Sequence, residues 1–367
     1  MGASARSLAI GLMSGTSMDG IDAAMIRTDG LSAVEPVAAV SRSYDDMFRQ
    51  KLRDAVGHRG SGADIARELT ARHVEIVEEL IASSGVARPD VEIVGFHGHT
   101  VFHDPDNGQT VQIGDGRMLA AEAGIDVVTD FRSNDVAAGG QGAPFAPLAH
   151  AVFAPDLRPV CFLNIGGVAN LTWIGAAADP GRVDVFDHLC AFDTGPGGAL
   201  VDDWTYRHTG QPYDKDGALA ASGQVDADVL GRLLQNRYFD APPPKSLDRD
   251  AFDISVVEGL SAADGAATLT AFTAETIARA ACLLPAVPDV WLVTGGGRHN
   301  PLLMEMLGGK LDAAVKPTEA WGIDGDVLEA QAFAYLAVRS LRGLPLSGPT
   351  TTGVSEPTLG GRLFRAA

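Results

Sequence analysis

Short apolar runs alternate along the chain with segments rich in glycine, serine and aspartate. Leu8–Met13 and Ile21–Ile26 read as two strands joined by a small-residue turn, Ser14–Gly20. Val160–Asn164 and Leu171–Ile174 repeat that layout around Gly166-Gly167-Val168-Ala169-Asn170. The two pairs lie about 150 residues apart, a domain's length, which points to an internal duplication. Further buried strands are expected at Val91–Phe96, Asp126–Thr129 and Val290–Thr294. Asp64–Ser84 places Ile65, Leu69, Ile76, Val77, Leu80 and Ile81 close to a 3.6-residue period and stops before Gly85, which predicts a helix. Val225–Tyr238, Ala267–Leu284 and Val327–Leu341 are further expected helices. Strands alternating with helices predict an α/β architecture. Ala241–Lys245, with three consecutive prolines, reads as a linker, and the Gly/Pro/Ser/Thr-rich tail Leu344–Gly361 as a surface wrap.

The chain has 367 residues, more than one core usually fills, so two lobes are expected. It holds 43 glycines, where average usage would give roughly 26. The net charge of −19 is opposite in sign to that of a generic nucleic-acid binder, and no Lys/Arg stripe offsets it. A phosphorylated ligand would have to be attracted locally, by backbone N–H groups, helix N-termini or a divalent metal. Three scattered cysteines, Cys161, Cys190 and Cys282, fit a reducing compartment and no disulfide or zinc framework. The apolar run Leu8–Met13 is too short for a signal segment, and no uninterrupted apolar stretch is long enough to span a membrane. A soluble, cytoplasmic protein is expected.

Five segments carry candidate chemistry. Gly15-Thr16-Ser17-Met18-Asp19-Gly20 offers close backbone approach to an anion, two hydroxyls, and a carboxylate able to hold a metal through water. It reads equally as a hairpin loop with local hydrogen bonds. Asp193-Thr194-Gly195-Pro196-Gly197-Gly198 sets a carboxylate between a strand end and a helix start, as an active-site acid or as a cap. Gly295-Gly296-Gly297-Arg298-His299-Asn300 follows an apolar strand; three glycines would let a flat ring lie on the backbone, and Asn300 could cap the next helix. Asp130–Asp135 leading to Gly139–Pro144 mixes an arginine, acids and amides suited to a hydroxyl-rich ligand. His97-Gly98-His99-Thr100 reads as turn histidines or as part of a metal site. The G-x-x-x-x-G-K-[ST], G-x-G-x-x-G and G-x-S-x-G signatures are absent, so any nucleotide must be held by another geometry.

Taken together, these segments resemble the actin, sugar-kinase and chaperone-ATPase superfamily, and within it the anhydro-N-acetylmuramic acid kinase family. The resemblance rests on Gly11–Asp22, Asp130–Pro144, Asn164–Leu171, Phe192–Gly197, Pro243–Ser246 and Gly295–Asn300, in that order, from residue 8 to about 363. It implies a two-lobed actin-like (ribonuclease H-like) fold with a duplicated core and an active-site cleft between lobes. Lobe I would span residues 1–137, with the segment from about 345 to 367 returning to it, and lobe II residues 138–344. It implies hydrolytic opening of a 1,6-anhydro sugar with phosphorylation of O6, using ATP and Mg²⁺, in cell-wall recycling, by a homodimer. Asp193 would be the general base. Gly15, Thr16, Ser17, Met18, Asp19 and Gly20 would hold phosphates from lobe I, Thr194, Gly195 and Gly197 from lobe II, and Gly295, Gly296, Gly297 and Asn300 would support adenosine. Thr100, Arg132, Asp135 and Glu329 would meet the sugar, and Asp19 would partner Mg²⁺ through water.

Two positions depart from the family pattern: Gly198 stands where asparagine is usual, and His99 where glutamine is usual. The alternative within the same chemistry is a simpler 1,6-anhydrosugar such as levoglucosan. A chaperone-like ATPase would need a peptide-binding module for which no residues remain, and a metal-dependent hydrolase would use His97 and His99.

Overall fold

The computed structural model describes residues 6–15, 18–57, 62–247 and 251–366. The chain divides into two compact units. The first comprises Met1–Pro155, Ala177–Asp187 and Val327–Ala367; the second, Asp156–Ala176 and His188–Asp326. The first unit contributes β1 (Ser7–Met13), β2 (Gly20–Thr28), β3 (Val34–Ser43), β4 (Ile93–Phe96), β5 (His99–Asp104), β6 (Gln109–Ile113) and β7 (Val127–Thr129). The second contributes β8 (Val160–Ile165), β9 (Val168–Ile174), β10 (Leu189–Pro196), β11 (Val290–Thr294) and β12 (Ala314–Pro317). The last strand, β13 (Arg362–Phe364), returns to the first unit and pairs with β7.

Both sheets repeat one plan. The first runs β13-β7-β4-β1-β2-β3, the second β10-β9-β8-β11-β12. In each, three consecutive strands form an antiparallel meander, and two parallel strands then extend the sheet from the meander's first member. The sequence repeat of strand, glycine-rich turn and returning strand is therefore the visible part of a duplicated core, with β1–β2 matched by β8–β9.

β1 is buried along its whole length, as a central strand covered on both faces must be. One cover is the helix Ala63–Ser84, whose Leu69, Ile76, Val77 and Leu80 are fully buried. Another is the helix Leu328–Leu341, packed on β1, β2 and β4. The expected lobe boundaries differ here, since this helix was placed in lobe II. Its closeness to the first sheet depends on two missing side chains: Gly11 and Gly95 sit side by side in register on β1 and β4, and any Cβ on either would run into the helix backbone. In the second unit the helix Ala262–Ala281 fills the equivalent covering role, with Phe272, Ala274 and Ile277 fully buried.

Several local expectations change. The helix expected over Val225–Tyr238 is Ala227–Leu233 followed by a short 3-10 turn, Arg237–Asp240, because Asp226 and Asn236 each cap a new start. The helix expected from Ala267 begins at Ala262, where Ser261 accepts a hydrogen bond from the Asp264 N–H. Ala241–Lys245 is no linker, for Lys245 is buried within the second unit. The tail is more than a wrap: Ser347, Thr351 and Thr352 are buried, and Ser347 bridges to Thr358. The half-exposed edge strand β3 and the polar hairpin β5–β6 were not anticipated.

Candidate active site

In the first unit the β1–β2 turn is built for a close approach. Met18 takes a positive φ of 56°, and its N–H donates to Gly15 O at 3.0 Å. Arg49 Nε donates to Met18 O at 3.2 Å, and Tyr44 N–H to Asp19 O at 2.9 Å, so the turn is held from outside while Asp19 stays exposed. At its root, buried Ser14 Oγ lies 2.7 Å from Tyr44 Oη and 3.0 Å from His99 Nδ1. Thr16 and Ser17 lie outside the described residues. Gly20 opens β2 against Arg42 O of β3, with no room for a side chain.

The sugar candidates of this unit take three different positions. His97 Nδ1 donates to Gly98 O at 2.9 Å, leaving Nε2 to accept from Arg132 Nε at 3.0 Å and Nη2 at 2.9 Å. Arg132 Nη1 donates to Gly142 O at 2.7 Å. Burial, with Arg132 beside it, drives the His97 pKa well below 6.5, so the ring is the neutral acceptor that this arrangement requires. The H-x-H pair is thereby spent on positioning; His99, held down to about 4 by burial, serves Ser14. Thr100, half-buried on β5, accepts from Gln112 Nε2 at 3.3 Å. Asp135 is different. It is buried, and Ser347 Oγ, Thr352 Oγ1 at 2.5 Å and Gly142 N–H at 2.7 Å all donate to its carboxylate. It ties the tail to the glycine segment 139–142.

Glu329 lies exposed in the first turn of the helix Leu328–Leu341. Desolvation holds its carboxyl above the usual carboxylate range; Arg132 pulls it down, and Asp22 and Asp19 push it up. Glu329, Arg132, Asp19 and Asp22 thus share one electrostatic neighbourhood.

In the second unit, Asp193 is half-buried at a bulge near the end of β10. Its N–H donates to Lys245 O at 3.0 Å, and its Oδ2 accepts from Leu247 N–H at 2.8 Å. The glycines that follow fold onto the β8–β9 turn: Gly197 N–H donates to Gly167 O at 2.9 Å and Gly198 N–H to Gly166 O at 2.7 Å. Thr194 is fully buried, its hydroxyl donating to Ala169 O at 3.1 Å. Gly195 leaves no room for a Cβ beside Thr276. Gly166 and Gly167 form the small-residue turn that the sequence marks as suited to a ligand, lying between β8 and β9 as Ser14–Gly20 lies between β1 and β2.

The triple-glycine segment follows β11. Gly295 has φ 75°, which favours glycine, and a Cβ there would meet Asn164 Oδ1 at 2.4 Å. Gly297 abuts Ile165, whereas Gly296 is exposed with open space above it, the flat surface a ring would need. Buried Arg298 clamps the segment: Nη1 donates to Gly295 O at 2.9 Å, Nε to Glu319 at 2.9 Å, and Nη2 pairs with Asp326 at 2.7 Å. Asn300 caps the helix Pro301–Gly308 through its Oδ1, accepting from Leu303 N–H at 3.1 Å.

Two mixed α/β units repeating one strand order, each with a glycine-rich turn after its first strand, give the actin-like fold. Component A of (R)-2-hydroxyglutaryl-CoA dehydratase from Acidaminococcus fermentans shares the fold, with a TM-score of 0.50 and 13% identity over 92% of this chain and 99% of its own. Sequence comparison is more specific. The model of the anhydro-N-acetylmuramic acid kinase family matches residues 7–366. An anhydro-N-acetylmuramic acid kinase of Rhizorhabdus wittichii is 52% identical over 98% of this chain and 99% of its own length, and one of Rhodospirillum rubrum 53% identical over 98% and 94%. The chain belongs to the anhydro-N-acetylmuramic acid kinase family.

Proposed function

We propose that this protein opens the 1,6-anhydro ring of 1,6-anhydro-N-acetylmuramic acid with water and phosphorylates O6, forming N-acetylmuramic acid 6-phosphate and ADP from ATP. Asp193 takes a proton from water as the water oxygen bonds to C1. The C1–O6 bond breaks, O6 bonds to the γ-phosphorus, and the bond from that phosphorus to the bridging oxygen of ADP breaks. The observation that carries the assignment is the setting of Asp193: a carboxylate at a strand end, oriented by the Leu247 N–H and followed by a glycine segment folded onto the Gly166–Gly167 turn. General-base catalysis accounts for about 10²–10⁴-fold of the rate. The rest falls to positioning and charge neutralisation.

The Gly15–Gly20 turn would hold phosphates in the first unit, and Thr194, Gly195 and Gly197 with the Gly166–Gly167 turn in the second. Gly295–Gly297 would support adenosine. Arg132 would meet the lactyl carboxylate, a cation that levoglucosan has no group to use, with Thr100 and Glu329 beside it. Mg²⁺ fits the acidic neighbourhood of Asp19, Asp22 and Glu329. No group of three or more His, Cys, Asp or Glu residues able to hold an ion is found among the described residues, so Asp19 would reach the ion through water and the phosphates would supply its direct ligands. Bound there, Mg²⁺ neutralises charge on the transferring phosphoryl group. No helix of the described residues is long and apolar enough to cross a membrane. The proposed setting is the cytoplasm, where ATP is supplied, and the proposed assembly the homodimer that family resemblance implies.

Mass spectrometry of the product made from ATP and the anhydro-muramyl sugar in ¹⁸O-water tests the reading. The expected product is the 6-phosphate with ¹⁸O at C1, and Asp193→Asn should lower its rate at least a hundredfold while ATP binding persists. Turnover of levoglucosan alone, or an active Asp193→Asn, would overturn it.

A further inference from the structure

The segment Pro243–Ser246 is one of the motifs by which the chain resembles the family. In the structure it wraps Asp193. Lys245 accepts the Asp193 N–H at its carbonyl, and two residues on, the Leu247 N–H reaches the Asp193 carboxylate. The opposite side is closed by Tyr238, whose hydroxyl donates to Asp193 O at 2.6 Å. The Lys245 side chain completes the ring. Its Nζ donates to Tyr238 O at 2.9 Å and Phe239 O at 3.4 Å, and lies 4.6 Å from the centre of the Tyr238 ring and 5.6 Å from that of Phe192.

A lysine only 9% exposed is uncommon, because burying an ammonium is costly unless its donors are met. Here two carbonyls and two aromatic faces meet them, in a cage whose walls are the residue before Asp193 and the residue that bonds its carbonyl. Burial lowers the Lys245 pKa, with Asp240 opposing, and raises that of Tyr238, with Asp193 adding to the effect. Tyr238 is therefore a constant proton donor to the Asp193 carbonyl. None of these groups places an atom on the reacting centre; they fix main chain on both sides of one carboxylate.

We propose that Lys245 and Tyr238 are positioning residues for Asp193, locking the loop 243–247 so that the Leu247 N–H sets the carboxylate's orientation toward the attacking water. This rests on the reading of Asp193 as general base. Such a clamp acts on the chemical step and leaves nucleotide binding alone, so its signature is a fall in kcat at constant KM for ATP.

The test compares Lys245→Met, Lys245→Arg, Tyr238→Phe and Asp193→Asn in the full chain, with kcat, KM for ATP and melting temperature measured for each. Lys245→Met should lose tenfold or more in kcat with KM for ATP within twofold, and Lys245→Arg should recover part of it. Tyr238→Phe keeps the ring and removes one hydrogen bond, so a three- to tenfold fall in kcat is expected without loss of fold. If Asp193→Asn is inactive while Tyr238→Phe and Lys245→Met, both folded, turn over within twofold of the parent, the clamp is refuted and the base stands. If Asp193→Asn stays active, the base assignment falls and the clamp with it. If Lys245→Met does not fold, the decision passes to Tyr238→Phe: an unchanged kcat refutes the proposal.

Discussion

Gly11→Ala should damage both the fold and the site, and the structure says by how much. A Cβ at Gly11 would lie 1.8 Å from Ala330 O and 2.4 Å from Ala334 N, both backbone atoms of the helix Leu328–Leu341. Neither can rotate away. To restore ordinary contact, at least 3.4 Å, the helix must retreat by about 1.6 Å from a sheet against which most of its residues are buried. Overpacking of a core costs about 1–3 kcal/mol, and a backbone obstacle puts this case near 3 kcal/mol. For a unit of roughly 200 residues that is about 6–12 °C in melting temperature. Glu329 sits in the first turn of the same helix and would move with it, and a misplacement of about 1 Å can cost up to 10²-fold in rate. Thermal melts followed by circular dichroism, with kcat and KM for the sugar, measure both effects. Gly231→Ala is the control: that glycine lies within the helix Ala227–Leu233 with nothing near its added methyl, so it should gain about 0.5–1 kcal/mol. A Gly11→Ala protein that melts within 2 °C of the parent (about 1 kcal/mol or less) and keeps its KM would refute the reasoning.

Gly198→Asn, which restores the residue usual in the family, should fold normally, because a Cβ there meets only Asp202 Oδ2 and Gly166 O at an ordinary 3.6 Å. Its effect belongs to the sugar: the ratio of kcat/KM between the anhydro-muramyl sugar and levoglucosan should change, and an unchanged ratio would show that position 198 takes no part in selection. Stability should also fall in mild acid, because burial holds His73 and His99 down to about 4, His150 to about 3 and His97 well below 6.5. The unfolded chain binds protons that these folded rings refuse, so their contribution is complete above pH 6.5 and declines toward pH 4 by about 1.4 kcal/mol per pH unit for each ring. A melting temperature flat from pH 7 to 5 would show that the rings are charged in the folded protein.

The parts of the fold that were legible in sequence are those where one local pattern suffices. Leu8–Met13 and Val160–Asn164 are apolar runs long enough for buried strands, and the 3.6 period of the first long helix is plain. β3 was hidden because its one-sided burial is diluted by Pro36 and by a bulge opposite Met25 and Ile26 of β2. The helix Leu328–Leu341 was found, but its unit was not, since that depends on Gly11 and Gly95, hundreds of residues away. The site shows the same division. The positions of Asp193, Arg132 and Gly295–Gly297 after apolar strands were readable, whereas the burial of Asp135 under Ser347 and Thr352 is a tertiary fact that no spacing encodes.

Charge was the least transparent feature, and the buried cations explain how an acidic protein could serve an anionic ligand. Lys245 binds two carbonyls beside Asp193, and Arg298 binds Gly295 O beneath the open face of Gly296. Arg339 does likewise for the carbonyls of Gly30, Pro180 and Pro345. Each ties down a glycine- or proline-rich stretch that would otherwise sample many conformations, and freezing such a stretch in advance removes an entropy cost from the binding step. A buried cation committed to main chain contributes little free charge to a ligand. On this argument, replacing Arg298 by Lys, which has the same charge but no planar fork to span Gly295 O, Glu319 and Asp326, should loosen ATP binding as much as a neutral residue does.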